Sequence, residues 1–356
     1  MKFMGKKVIL VLILIILIFF ASYSFITYKD HLNSQKPLKL SQIKYWAYQI
    51  QGIENPGAVT ALSTSNYDML VVEPTKTDWS SNNSKNFDTK SMVSMLKSSK
   101  SSDKVHRKLV IAYINIGEAE DWRWYWKWSK WQSGDSRPGD LPDYVLIPDP
   151  DGWSGNFPVA YWDPEWKDII IYGKDQDSSP YRDYKSTIDE AIDDGFDGVY
   201  LDWVEGYENE AVIAEAEKQG KDPQVEMIKF IKEIKDYAKS RDPDFIIIQQ
   251  NGVGLCEGHP EIFSLIDGIS QEAIWYDGTA FDDWDAPNGY DVPTDPELTA
   301  YYINYLEKYK EAGVPVFNCE YALNYSDDAY EKSYNLGFIP YCTRRSLSNI
   351  TTVPLF

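Results

Sequence analysis

The chain has 356 residues, with 55 Asp and Glu against 35 Lys and Arg and a formal charge of −20. That balance argues against nucleic acid as a partner, because binding phosphates depends on Lys and Arg, and it permits a cationic partner such as a partly deacetylated amino-sugar polymer. Three widely spaced cysteines (Cys256, Cys319, Cys342) and three histidines (His31, His106, His259) give neither a disulfide framework nor metal-ligand spacing. No metal and no cofactor is expected, and a His-dependent hydrolase triad has little to draw on.

Lys2, Lys6 and Lys7 precede an uncharged, apolar run over residues 8–28. A basic start followed by such a run marks an export segment. At about 1.5 Å per residue the run is just long enough for a hydrocarbon core about 30 Å thick. Residues 1–28 are therefore expected to be an uncleaved membrane anchor or a cleaved signal. Both readings place the rest of the chain outside the cell or at its surface. No cysteine follows the run, which argues against a lipoprotein anchor. Residues 29–43 read as a polar stalk. Residues 44–356 are the right length for one (β/α)8 barrel with an insertion, expected to act as a monomer.

Eight short runs rich in Val, Ile, Tyr and Phe follow: Tyr45–Ile50, Met69–Glu73, Leu109–Asn115, Gly198–Asp202, Phe245–Gln250, Gly268–Glu272, Pro315–Cys319 and Phe338–Cys342. Most are continuous apolar runs, as strands covered on both faces are. Helical patterns lie between several of them, at Asp88–Lys100, Tyr184–Asp194, Pro223–Ser240 and Pro296–Ala312, with Gly195 and Gly313 as stops. Strands alternating with helices predict parallel βαβ units, and eight of them predict a closed α/β barrel of the TIM type. Cys319 and Cys342 fall in the last two strands and are expected as buried thiols rather than a bridge.

A long insertion, residues 118–183, separates the third and fourth strands. It holds Trp122, Trp124, Trp126, Trp128 and Trp131, then Trp153, Trp162 and Trp166, and an extra strand-like piece at Pro158–Trp162. Such a set suits the lining of a sugar cleft, or packing of a lid helix onto the barrel through Trp124 and Trp128.

Polar groups stand at every predicted strand exit, the face where barrel enzymes carry chemistry. The candidate binding residues are Tyr48, Gln49, Glu73, Tyr113, Asn115, Glu118, Trp162, Asp163, Trp203, Asn251, Gln271, Trp275, Glu320 and Tyr321. Asp163 precedes Pro164 and also suits a helix cap. Asp202 and Glu272 are the strongest catalytic candidates, because each closes a short buriable run on alternate strands and so faces the other across the mouth. Two carboxyl groups so placed suit glycoside hydrolysis, their separation deciding between retention and inversion.

Trp46-Ala-Tyr-Gln-Ile-Gln51, Ala112-Tyr-Ile-Asn-Ile-Gly-Glu-Ala-Glu120, Tyr161-Trp-Asp-Pro-Glu-Trp166, Gly195-Phe-Asp-Gly-Val-Tyr-Leu-Asp-Trp203 and Gln271-Glu272 together resemble the family 114 glycoside hydrolases. The resemblance spans about residues 44–343 and implies a TIM-like barrel that cleaves α-1,4-linked galactosamine polymers. It maps the family's catalytic Asp onto Asp202 and its catalytic Glu onto Glu272, and the favoured roles are nucleophile for Asp202 and acid/base for Glu272. Two alternatives stand beside it: a barrel that binds glycan without cleaving it, and a glycosidase for a different glycan.

Overall fold

The computed structural model describes residues 36–75, 87–173, 186–278 and 291–351, with Phe19 and Trp284 as single positions. The expected anchor or signal at 1–28 lies outside the described residues apart from Phe19. No helix among the described residues is long and apolar enough to cross a membrane. Of the expected stalk, Leu40 and Ile43 are buried in the core, so the globular body begins before residue 44.

Eight parallel strands form one sheet in chain order: Trp46–Gln49, Met69–Val72, Leu109–Asn115, Gly198–Asp202, Ile246–Gln250, Gly268–Glu272, Val316–Glu320 and Ile339–Cys342. They are called the first to eighth barrel strands below, and each expected strand appears within a residue or so of its predicted bounds. Their residues are almost all buried, as sheets covered by helices on the outside require. The expected helices are Thr89–Ser98, Thr187–Asp193, Pro223–Arg241 and Pro296–Glu311. Each starts at a side-chain cap: Asp88, Ser186, Asp222 and Asp295 accept backbone N–H groups of the first turn. Four further helices, Ala58–Thr64, Glu210–Lys218, Ile262–Leu265 and Ser326–Leu336, complete the alternation. The architecture is a (β/α)8 TIM barrel.

The seam between the first and eighth strands is closed by side chains. The Trp46 indole N–H donates to the Ile339 carbonyl at 2.9 Å. Its ring contacts Tyr341 at 5.8 Å, Phe317 at 5.7 Å and Tyr200 at 6.2 Å, so one side chain joins the first, fourth, seventh and eighth strands. Tyr48 sits one layer higher, 5.1 Å from Tyr200 and 6.3 Å from Tyr113. Large rings thus fill the barrel interior, where branched aliphatics are commoner. Cys319 and Cys342 are both buried and free.

In the insertion, the expected strand Pro158–Trp162 is corrected. The paired strand is Asn156–Pro158, antiparallel to Glu118–Glu120. Beyond Pro158 only Val159 bridges, to Val145. The chain then turns into the short helix Pro164–Lys167 capped by Asp163, so the ladder has no room to continue. Of the two alternatives for the tryptophans, packing through a lid helix does not occur, since residues 121–131 form turns and irregular chain. Several of the tryptophans pack in one cluster of rings, with Trp126 edge-on to Trp128 at 5.2 Å. Trp126 and Trp131 stack on Phe157 at 4.8 and 6.1 Å. Buried Trp166 meets Tyr125 at 5.5 Å and donates to the Ile116 carbonyl at 2.8 Å. A segment with little regular structure gains its stability from such a satellite core.

Trp46→Ala removes both the seam bond and the axial packing. It is expected to lower the unfolding free energy by about 3–5 kcal/mol, measured by urea denaturation. A loss below about 1 kcal/mol contradicts the role given to this ring.

Candidate active site

The fourth, fifth and sixth strands each run into a non-glycine residue with left-handed backbone: Trp203 (φ 62°), Asn251 (φ 54°) and Ala273 (φ 53°). This conformation costs roughly 1–2 kcal/mol for a residue with a Cβ, and Asn bears it best. Three such turns side by side bend the chain sharply just past Asp202 and Glu272 and leave both carboxyls at the mouth. Strain grouped in this way is typical of functional sites. The Trp203 ring lies between Gly117 and Gly206, where an added Cβ on either glycine would overlap it. Neither position tolerates a larger residue without moving that ring.

Asp202 Oδ1 accepts the Trp203 N–H at 2.8 Å, and Oδ2 accepts the Tyr113 hydroxyl. Glu272 Oε1 accepts the Tyr321 hydroxyl, and Oε2 accepts Asn251 Nδ2 at 3.3 Å. Asn251 Oδ1 in turn accepts the Glu272 N–H at 3.0 Å. Burial first, then the Glu272 charge, push the Asp202 carboxyl up to about 7. Burial and the neighbouring carboxylates also raise the phenols of Tyr48, Tyr113 and Tyr321 well above their ordinary value. Tyr48, Tyr113, Asp202, Trp203, Asn251, Glu272 and Tyr321 are therefore one constellation.

A third carboxyl, Glu205, belongs to it and was not foreseen. Its Oε1 accepts Asn251 Nδ2 at 3.0 Å, and burial, then Asp202, push it up to about 8. The sequence held a signal for it: Asp202 and Glu205 are three residues apart, one turn, immediately after a strand. The Arg345 guanidinium stacks on the Tyr321 ring at 4.4 Å, and its charge interacts with Glu272.

The other expected binding residues are engaged in holding the fold. Gln49 Nε2 donates to the Gln51 and Ser348 carbonyls at 3.1 and 2.9 Å, and Gln271 Nε2 to the Glu272 carbonyl at 2.9 Å. Glu73 pairs with Arg123 at 2.6 Å, which also bonds Glu120, tying the insertion to the second strand. Asn115 Nδ2 and Asn156 Nδ2 each donate to Glu118 Oε2 at 3.0 Å, fixing the two-stranded arm. Trp162 is buried and donates to Gln219 on the outer layer at 2.9 Å. Asp163 caps its helix. The Trp275 indole donates to Ser333 at 3.0 Å. Glu320 is fully buried and accepts the N–H groups of Ile274, Trp275 and Tyr276 at 3.2, 2.9 and 3.0 Å, anchoring the loop behind Glu272. Polar residues at strand exits stood out in the sequence, but their strand-end position alone does not say whether they face the ligand or the next turn.

The sequence model of glycoside-hydrolase family GH114 matches residues 31–354. The chain belongs to this family. An uncharacterised protein of Methanocaldococcus jannaschii is 30% identical over 326 residues, covering 86% of this chain and 78% of that protein. One of Thermotoga maritima is 29% identical over 315 residues, covering 85% and 81%. Among solved structures, Aspergillus fumigatus Ega3 in complex with galactosamine superposes with a TM-score of 0.56 at 15% identity, covering 89% of this chain and 98% of that one. The glycoside hydrolase domain of PelA from Pseudomonas aeruginosa gives 0.52 at 14% identity, covering 86% and 96%. These two share the fold. As a GH114 member the protein is a glycoside hydrolase, and its substrate class is a polysaccharide.

The raised carboxyls make stability depend on pH. An unfolded Asp or Glu titrates near about 4, and Asp202, Glu205 and Glu320 sit at about 7, 8 and 7 when folded. The folded state holds these protons more tightly, so their stabilisation is complete below about 4 and is lost as pH rises through about 7–8. The unfolding temperature should fall between about pH 5.5 and 8.5, and fall less in Asp202→Asn. Equal slopes in the two proteins would remove Asp202 from the account.

Proposed function

We propose that this GH114 protein is an exported endo-acting hydrolase of an α-1,4-linked, galactosamine-containing polysaccharide, with Asp202 and Glu272 as its catalytic carboxyls. The observation that carries the reading is their placement: both close barrel strands at the same mouth, both are held by a phenol and one further donor, and the Glu272 charge acts on Asp202. The protonated member of the pair gives its proton to the glycosidic oxygen, and the ionised one faces the anomeric carbon or the attacking water. With Asp202 as nucleophile, the reactive form carries Asp202 ionised, and burial, which raises that carboxyl to about 7, sets the pH at which the form appears.

Substrate charge follows from the same site. Negative charge on the Asp202–Glu272 pair favours a ligand that brings its own positive charge, with Arg345, stacked on the Tyr321 ring at 4.4 Å, offsetting part of it. The formal charge of −20 acts in the same direction over longer range. The similar fold of Ega3 was solved with galactosamine, which agrees with an amino-sugar ligand. Export rests on the basic start and apolar run of residues 1–28.

The test is a product screen on α-1,4-linked galactosamine oligomers, their N-acetylated forms and neutral or acidic glycans. Wild-type protein is expected to shorten the amino-sugar oligomers. Asp202→Asn and Glu272→Gln should each lower kcat by at least about 100-fold with an unchanged circular dichroism spectrum. Undiminished cleavage by both variants contradicts the assignment of the pair, and cleavage confined to a neutral or acidic glycan contradicts the substrate.

A further inference from the structure

Glu205 follows Asp202 by one 3-10 turn, within Val204–Glu208. One amide serves it and Glu272 together: Asn251 Nδ2 lies 3.0 Å from Glu205 Oε1 and 3.3 Å from Glu272 Oε2. The other oxygen of Glu205, Oε2, is buried and has no hydrogen-bond partner. The titratable groups facing this carboxyl are Asp202 from the fourth strand, Glu272 from the sixth, and Tyr302 from the helix Pro296–Glu311. All are acids, and none supplies a counter-charge. An ionised carboxylate with a shut-off, unpaired oxygen facing two other carboxyls carries an uncompensated desolvation cost. The neutral acid avoids most of it, and the upward push on Glu205 has the same origin.

We propose that Glu205 is a positioning residue that keeps its proton throughout the reaction, holds the Asn251 amide in place for Glu272, and keeps a third negative charge away from the catalytic pair. The proposal rests on the reading of Asp202 and Glu272 as that pair. Glu205 exchanges no proton and forms no bond with the substrate. When it ionises, it becomes the stronger acceptor for Asn251 Nδ2, draws that donor from Glu272, and disfavours ionisation of Asp202.

Glu205→Gln separates proton from charge, since it keeps a carbonyl oxygen for Asn251 and cannot ionise. Glu205→Ala removes the acceptor. Carboxyl carbon NMR on the full chain needs no substrate, and it should show Glu205 titrating near about 8 and the Asp202 titration moving down in Glu205→Gln. In hydrolysis assays Glu205→Gln is expected to keep kcat within about threefold at pH 7 and to hold its activity about one pH unit further into the alkaline range than wild type. Glu205→Ala is expected to lose kcat by more than about tenfold with little change in KM. A Glu205 carboxyl titrating below about 5, or a Glu205→Gln variant as impaired as Glu205→Ala, overturns the proposal. Asp202→Asn and Glu272→Gln measured beside them report on the catalytic pair separately, so the two readings fail in different experiments.

Discussion

One indole on the barrel axis closes the sheet and sets the chemistry above it. Trp46 ties the first strand to the eighth through the Ile339 carbonyl and packs on rings from the fourth, seventh and eighth strands. Tyr48 and Tyr200 extend that packing to just beneath the acids. Burial above this floor disfavours a charged carboxyl. Burial first, then the charge of Glu272 on Asp202 and of Asp202 on Glu205, push these two carboxyls up to about 7 and 8.

Position comes from the strands, and orientation from what surrounds them. Three adjacent left-handed residues turn the chain at the mouth, and Glu320 fixes the loop behind Glu272 through three backbone N–H groups. The insertion contributes in the same way. Its tryptophans make a small core that holds the Glu118 arm against the third strand, and Gly117 at the start of that arm borders the slot for Trp203. Trp126, Trp131 and Trp166 thus support the cleft from a distance, while Trp122 and Trp124 line a pocket that has Tyr113 on its wall.

The fold was largely legible because strands buried on both faces tend to be continuous apolar runs, and most of the eight were. The helices with clear caps and long apolar spacing were legible too. Ala58–Thr64 was not: seven residues with a single buried side chain, Leu62, leave no periodicity to read. Asp202 and Glu272 could be picked out because each ends a buried run. Glu205 was overlooked because it lies one turn beyond a strand end, where an isolated acid ordinarily faces solvent. Gln49, Gln271 and Glu320 were read as ligand contacts, and the structure uses them on carbonyls and N–H groups of the turns. Backbone groups left unpaired where strands end need partners, and sequence does not reveal which nearby polar side chain meets that need. The tryptophan run left two readings open, because spacing by two suits an exposed ribbon as well as a compact knot of rings.

The central claim is that a sugar–sugar bond lies between Asp202 and Glu272 at the barrel mouth. A crystal structure of the Glu272→Gln variant with an α-1,4-linked galactosamine oligomer tests it most directly. The account predicts a glycosidic oxygen within about 3 Å of one of the two side chains, with the adjoining anomeric carbon facing the other. An oligomer bound along the insertion tryptophans, with no linkage near residues 202 and 272, would contradict it.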